Sequence, residues 1–555
     1  MARRLGSARR AGIVVAALVA GSGVLAACSS SNATNTSRQS GHVLLVGTFH
    51  GHAGGYPTIQ AAVNAAHPGD WILVAPGDYH ENDDATAAPS SASAGGYGDD
   101  SGGGYGEGGY GGVLVTTPNI HIRGMNRASV IVDGTKSGAP ACSADPSQQS
   151  FGRTGPDGKA VGRNGIVVFQ ADNVSIDNLT VCNFLAGTGG SGNEIWWNGG
   201  SGTAQIGLHG YEGSYLTTTS SYFGTEDTAV QYGIFSSDAA GDGARWDHVY
   251  ANNFNDSGAY VGACQQVCDV TIDHSQFENN ALGYSGTNSG GAVVIENSQF
   301  DHNEEGLDTN TEIGGDPPAP QDGACPNGAT SPITGTTSCW VFEHNDVHDN
   351  NNPNTPRAGS AAAGPTGTGM TISGGRNDTV LDNTFANNGA WGFLFVPYPD
   401  SDKPSAGQSC TAKGGVENAA FGCLFPSYNN VLKGNTFVHD GFFGNPSNSD
   451  FGNLVLFAGK PRNCFVGNTA PAGSAPADLA QTQPSCDGTP ATATDDADLL
   501  AQVLCDTGFG SCPAGAKYPK TTGVVMTPVP AGLATMPNPC AGVPSNAWCR
   551  SGKPI

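Results

Sequence analysis

Three segments of this chain carry one pattern: Val249-x-x-Asn252-x-Phe254-x-x-Ser257, Ile272-x-x-Ser275-x-Phe277-x-x-Asn280 and Ile295-x-x-Ser298-x-Phe300-x-x-Asn303. The phenylalanines stand 23 residues apart. A period of this length means stacked supersecondary units, none of which can bury its apolar side alone. Within each unit apolar and polar residues alternate, β-branched residues are frequent, and the runs end at Asn, Ser or Gly, which is strand behaviour. Each unit therefore reads as one coil of a parallel β-helix. The pattern recurs as Leu179-x-x-Cys182-x-Phe184, Phe342-x-x-Asn345-x-Val347, Val380-x-x-Asn383-x-Phe385 and Leu432-x-x-Asn435-x-Phe437. The position five before the aromatic is always apolar, as an inward column requires. Asn and Ser at the flanking positions are placed to hydrogen-bond from coil to coil at the strand spacing of about 4.8 Å.

The N-terminus has Arg3, Arg4, Arg9 and Arg10, an apolar run from Ala11 to Ala20, and then Leu25-Ala26-Ala27-Cys28 before a Ser- and Asn-rich stretch. That order is an export signal, and the apolar run is too short for a permanent membrane span. The tetrapeptide resembles a bacterial lipobox, which implies lipidation of Cys28, a leader over 1–27 and a flexible tether over 28–41. The expected location is the outer, extracytoplasmic face of the cell membrane. Without Cys28 the 15 cysteines become an even number, suited to disulfides in an exported chain. Cys264 with Cys268, Cys505 with Cys512 and Cys540 with Cys549 are close enough to bridge; a zinc reading of the first pair lacks a second ligand pair. The formal charge is −25, and the leader removes four arginines and no acid. So acidic a chain is not expected to bind nucleic acid or an anionic bilayer through a basic patch. Attachment falls to the lipid.

Along the chain, Ile59 to Ala66 reads as a short helix capped by Thr58, followed by a strand at Trp71 to Ala75. Residues 82–112 are a Gly-, Ser- and Tyr-rich insertion, and longer excursions at 137–163, 185–212, 313–339, 353–369 and 398–428 leave at turns, where they can wall a groove. The repeat ends near 470. Residues 471–555 read as a Pro-, Ala- and Cys-rich cap or appendage with one helical stretch, Asp495 to Leu504. The opening helix and the coils over 56–470 resemble pectin-lyase-like right-handed β-helices, with repeats of the carbohydrate-binding and sugar-hydrolase type. The expected fold is thus all-β: a single-stranded right-handed parallel β-helix over 42–470, with an N-terminal capping helix and a disulfide-rich C-terminal extension. The resemblance implies a polysaccharide partner. It does not carry over a catalytic motif: Glu226-Asp227 and His209-Gly210 only partly match the polygalacturonase pattern, and no Arg-x-Lys follows.

The most acidic stretch of the coils is Asp301 to Glu312. Strand alternation turns several of its side chains outward together, and the repeat places Asp308 beside Ser285 and Asn310 beside Thr287. Such a shelf offers Glu304, Asp308 and Glu312 as oxygen ligands for calcium, or Glu305, Asp308 and Glu312 as carboxyl groups for acid and base work. It is equally what a solvated acidic turn looks like. Asn288 and Asn310 are candidate substrate contacts, and Trp196, Trp197, Tyr211 and Tyr215 could stack on sugar rings or seal a loop. A further column, Asp273, Glu296 and Glu343, sets like charges at coil spacing. Three functions follow as expectations: binding of a cell-envelope or environmental polysaccharide, action on one as a lyase or glycoside hydrolase, or service as an envelope scaffold or accessory factor.

Overall fold

The computed structural model describes residues 41–81, 111–188, 191–200, 205–264, 267–312, 321, 335, 339–400, 409–419 and 422–555. The leader, Cys28, most of the tether and most of the 82–112 insertion lie outside them. Each complete coil gives one short strand to each of three parallel sheets, which number 12, 10 and 11 strands because the coils at the two ends are incomplete. One coil reads Val270–Asp273, Gln276–Glu278 and Leu282–Thr287, and the next Val293–Glu296, Gln299–Asp301 and Glu305–Asn310. This is a right-handed parallel β-helix. Its core is three inward columns: Ile272, Ile295, Phe342, Val380 and Leu432 in the first sheet, Phe277, Phe300, Val347, Phe385 and Phe437 in the second, and Tyr284, Leu307, Met370 and Phe393 in the third. All are essentially sealed from water, and burying each such side chain stabilises the fold by about 1.5–3 kcal/mol.

The register differs from the sequence reading in two coils. Ala251, not Phe254, pairs with Phe277, and Trp246, not Val249, pairs with Ile272. That coil is longer, because its turn from the third sheet back to the first is closed by the Cys264–Cys268 disulfide and its corner after Asn252 carries an extra residue. The 23-residue spacing from Phe254 to Phe277 therefore joins two different columns. Val181 likewise holds the column position in the coil of Cys182, with Phe184 beyond it. The later copies stand in the expected register.

The corners explain the Asn and Ser columns. At the second corner the side-chain oxygen of Asn303 accepts the Asn280 backbone N–H (2.9 Å), Asn350 accepts from Asn303 (3.2 Å), Asn388 from Asn350 (3.2 Å) and Asp440 from Asn388 (2.8 Å). A parallel ladder runs through Ser275, Ser298, Asn345, Asn383, Asn435 and Asn468 at the first corner. Residues at these corners adopt left-handed backbone, as at His274 (φ 47°), Asn297 (φ 48°) and His344 (φ 56°), a conformation that short polar side chains tolerate better than most.

The ends are closed as the exposed disc and strand edge of a coil stack require. Helix Ile59–Ala65 covers the first coil, its Ala61 N–H donating to the Thr58 hydroxyl (3.1 Å) and its Ile59 N–H to the Glu81 carboxylate (2.6 Å). Beyond the last coil, helix Ala497–Asp506 is capped by Asp496. The tail then returns along the body toward the first coils. Asn279 donates to the Val525 carbonyl (3.0 Å), Thr527 N–H to Asn253 (2.9 Å), Met536 N–H to Asn178 (2.9 Å), and Trp548 packs with Phe49 and donates to the His52 carbonyl (2.9 Å). Disulfides join Cys264–Cys268, Cys505–Cys512 and Cys540–Cys549, as the spacing suggests, together with Cys142–Cys182, Cys410–Cys423 and Cys464–Cys486.

Candidate functional site

The outer face of the third sheet carries two adjoining columns. One runs Leu114, Val167, Trp196, Phe235, Tyr260, Ser285, Asp308, Thr371 and Leu394; the next runs Phe169, Asn198, Ser237, Gly262, Thr287, Asn310, Ser373 and Val396. The first is aromatic and aliphatic as far as Tyr260 and polar from Ser285 to Thr371. Asp308 beside Ser285 and Asn310 beside Thr287 are the neighbours the repeat implies.

At Gly306 an added Cβ would lie 2.2 Å from the Gly369 carbonyl oxygen, so only glycine lets the two coils approach there. On either side of it, Glu305 and Asp308 reach adjoining hydroxyls. The Thr371 hydroxyl donates to Glu305 Oε1, and the Ser373 hydroxyl donates to Asp308 Oδ1 at 2.8 Å. Glu305 is fully buried, with its Oε2 unpartnered among the described residues. Burial, with Asp308 as a neighbouring charge, raises its pKa well above the usual range. Asp308 is partly open, yet surrounding protein pushes its carboxyl up to about 7, against the opposing pull of the Ser373 hydroxyl and the Thr309 N–H. Two neighbouring carboxyl groups are thereby both raised, Glu305 fully enclosed and Asp308 partly open.

Beyond the strand, Thr287 donates to Asn310 Oδ1 (2.5 Å) and Asn310 Nδ2 donates to Glu312 Oε1 (3.2 Å). That same oxygen takes the Tyr398 hydroxyl (3.1 Å). Tyr398 comes from strand Tyr398–Asp400 of a small antiparallel sheet with Val416–Asn418 and Gly422–Phe425, stapled by Cys410–Cys423. Burial and the Glu312 charge raise the Tyr398 pKa well above its ordinary value. On the opposite side, the 3-10 helix Gly359–Ala363 lies over Glu305, whose Oε2 would be 2.7 Å from a Cβ on Gly364. Insertions from both directions thus bound the shelf.

Several sequence candidates sit elsewhere. Glu304 is fully buried at the second corner, paired with Arg357 and accepting from Thr366 (3.0 Å), with burial raising its pKa to about 7. It does not converge with Asp308 and Glu312, so the calcium trio loses one member. Asn288 is buried, and its side-chain oxygen accepts the Glu312 N–H (2.9 Å), which makes it a support rather than a contact surface. Trp197 and Tyr211 face inward, Trp197 stacking with both Tyr211 and Trp246 in the core, so neither can meet a sugar. Trp196 is on the outer face, buried and stacked on Phe235 (5.1 Å). Tyr215 stacks on His248 (4.5 Å) at the first corner, away from the shelf. The Asp273, Glu296 and Glu343 column is in register, with Arg245 paired to Asp273.

Thr371, Ser373, Arg357 and Tyr398 are absent from the sequence reading. The first two had a signal: third-sheet strands share Gly-apolar-outer-x-outer, as in Gly283-Tyr284-Ser285-Gly286-Thr287, Gly306-Leu307-Asp308-Thr309-Asn310 and Gly369-Met370-Thr371-Ile372-Ser373. Arg357 and Tyr398 lie in insertions that no repeat registers.

No protein-family model matches the chain, and no curated protein matches it in sequence. Among solved structures, the A-module of a mannuronan C-5 epimerase from Azotobacter vinelandii matches 74% of this chain and 90% of its own at 12% identity, with a TM-score of 0.38. An alginate lyase from Paenibacillus matches 78% and 97% at 13% identity (TM-score 0.36), and the Dettilon tailspike protein 74% and 62% at 12% identity (TM-score 0.36). What those proteins do says nothing by itself about this chain, whose β-helix is established by its own three parallel sheets.

Proposed function

We propose that this protein is an exported lipoprotein, anchored through Cys28, that binds a polysaccharide along the outer face of its third sheet. The observation that carries this reading is the polar shelf itself: Ser285, Asp308 and Thr371 beside Thr287, Asn310 and Ser373 form two columns of hydroxyl, carboxyl and amide groups at strand spacing, bounded by insertions, with Asp308 the open member and the other five nearly closed from water. A glycan presents hydroxyls as both donors and acceptors, which such an array can pair. The partner is a neutral glycan. Lys and Arg are sparse and the shelf is acidic, so a uronic-acid chain would be repelled unless calcium at Asp308 and Glu312 offset the charge. Disulfides in six places among the described residues support a compartment outside the cytoplasm.

Turnover is a second reading, favoured by one observation: Glu305 and Asp308 flank Gly306, one enclosed and one partly open, each held by an adjoining hydroxyl and each with a raised pKa. That division suits a general acid and a general base in a glycoside hydrolase or lyase. The test is retention of the protein on immobilised neutral and uronic-acid polysaccharides, with calcium or chelator, and mass spectrometry of the eluate. Retention on a neutral glycan without fragments supports binding, and hydrated or unsaturated fragments support a hydrolase or lyase. Retention on no member of the panel overturns the proposal.

A further inference from the structure

The second-corner ladder changes chemistry at its last member. Asn280, Asn303, Asn350 and Asn388 are amides, and Asp440 is a carboxyl group in the same column. In an amide rung the oxygen accepts from the rung before, while the NH₂ donates onward and to a carbonyl of the preceding coil. Asn350 donates in this way to Asn388 (3.2 Å) and to the Phe300 carbonyl (3.0 Å). Asp440 keeps the accepting half: its Oδ1 takes the N–H (2.8 Å) and the NH₂ (3.0 Å) of Asn388. Its Oδ2 stands where the other rungs carry NH₂, and it is buried without a hydrogen-bond partner among the described residues.

The coil that follows shows what Asp440 faces. A second-corner rung stands five residues after a first-corner rung, as in Asn345 with Asn350, Asn383 with Asn388 and Asn435 with Asp440. Five beyond Asn468 is Gly473, so no side chain continues the ladder. Beside the ladder, the third-sheet strands carry a glycine column. An added Cβ at Gly258, Gly283, Gly306 or Gly369 would lie 2.9 Å from the Nδ2 of the next rung, so a side chain in this column points at the next rung's place. In the last coil the column holds Asp450, between Ser449, which pairs with Trp391, and Phe451, which pairs with Phe393. With no rung beyond Asp440, the Asp450 carboxyl group fits there. Its Oδ2 accepts the Ala472 N–H (2.6 Å), and its Oδ1 is buried without a partner among the described residues. Two acceptor oxygens thus meet in a sealed corner, and two ionised carboxylates there would repel strongly.

We propose that Asp440 and Asp450 share one proton, and that this proton closes the C-terminal end of the coil stack. It stands in for the NH₂ of an asparagine rung: Asp440 Oδ2 carries it and donates to Asp450 Oδ1, and the pair holds one negative charge. When base takes the proton into solvent, two carboxylates are left face to face, and the segments that carry them, 441–453 and 469–475, loosen from the stack. No Lys, Arg or His offsets that charge among the described residues. His439 faces Asn387 (3.1 Å), Lys517 reaches the Gly444 carbonyl (3.5 Å), and the helix Ala497–Asp506 presents Leu499 to Gly452. Burial, with Asp450 as a neighbouring charge, lifts the Asp440 carboxyl to about 7, and burial raises Asp450. The closure is therefore complete below the ordinary carboxylate range and is lost as pH rises through about 7.

Hydrogen–deuterium exchange of the full-length chain in mild detergent is followed at pH 5.5 and pH 8.5, with and without chelator. Wild type is compared with Asp440→Asn at each pH, so that intrinsic exchange cancels; the variant restores an amide rung that needs no added proton. Peptides over 441–453 and 469–475 are expected to exchange alike in the two chains at pH 5.5 and about tenfold faster in wild type at pH 8.5. Peptides over Leu282–Thr287 should exchange alike throughout. Asp450→Asn supplies an NH₂ from the other side, so it should act in the same direction, and it provides the reading if Asp440→Asn does not fold. Equal exchange of wild type and variants at pH 8.5, or a difference of the same size at both pH values, overturns the assignment. So does loss of the wild-type protection at pH 5.5 on adding chelator, which would make a cation the bridge.

Discussion

The asparagine ladder of the second corner and the acidic shelf of the third sheet are rows of polar side chains in the same coils, and they treat their hydrogen bonds in opposite ways. In the ladder Asn303 accepts both the N–H and the side-chain NH₂ of Asn280 and gives its own NH₂ to the Phe277 carbonyl (3.0 Å) and to Asn350 (3.0 Å). Each amide is fully buried and its chemistry is closed. On the shelf, Glu305 Oε2 has no partner among the described residues and Asp308 opens to the surface with a carboxyl near its titration midpoint at neutral pH. A repeating polar residue that pairs with its own copy is architecture. A polar residue whose neighbours in the column differ from it retains capacity for a ligand.

That contrast can be broken most strongly from the ladder side. Asn303→Leu strips the side-chain acceptor from the Asn280 backbone N–H and side-chain amide and the side-chain donor from the Phe277 carbonyl in a water-free corner, and each buried orphan costs about 1–3 kcal/mol. Chemical denaturation should show a loss of several such units, the largest effect expected here. Asp308→Asn should leave the denaturation midpoint at neutral pH the same or higher while weakening glycan retention by about tenfold or more, because a charge-assisted contact is replaced by a neutral one. A ladder variant that lost binding without losing stability, or an Asp308 variant that unfolded, would erase the distinction.

The pH response sharpens it further. Burial lifts the Asp308 carboxyl from its ordinary 3.8 to about 7 in the folded chain, so the folded chain holds a proton that the unfolded chain releases. This contribution to stability is fully present below about pH 4 and is lost as pH rises through 7. Asp308→Asn should reduce the fall in denaturation midpoint between pH 5 and pH 8, leaving the share that Glu304 and Asp440, also near 7, contribute. The smallest effect belongs to Ser373→Ala. Removing the hydroxyl that lowers the Asp308 pKa should move its titration upward by less than about one unit, readable by carboxyl-carbon NMR.

Much of the architecture was legible because stacked coils repeat their physics. Ile272, Ile295 and Phe342 sit in an inward column, and Asn345, Asn383 and Asn435 form a hydrogen-bonded ladder, as their spacing requires. The reading slipped at Phe254, where a longer coil mimicked the period while shifting the column. It slipped again at Trp197 and Tyr211: on a strand, inside and outside differ by one residue, and an aromatic suits either face. Asp308 beside Ser285 was readable from register, whereas Glu304 was drawn off the shelf by Arg357, a residue of an insertion whose path the repeat does not encode.

Glycan binding by the shelf around Asp308 is decided by affinity gel electrophoresis in neutral polysaccharide. Wild-type chain, Asp308→Asn and His274→Gln are compared at equal concentration. The expected result is retardation of the wild type and of His274→Gln, with Asp308→Asn migrating as in a gel without glycan. Equal retardation of all three would place binding elsewhere on the molecule and remove the shelf as the glycan site.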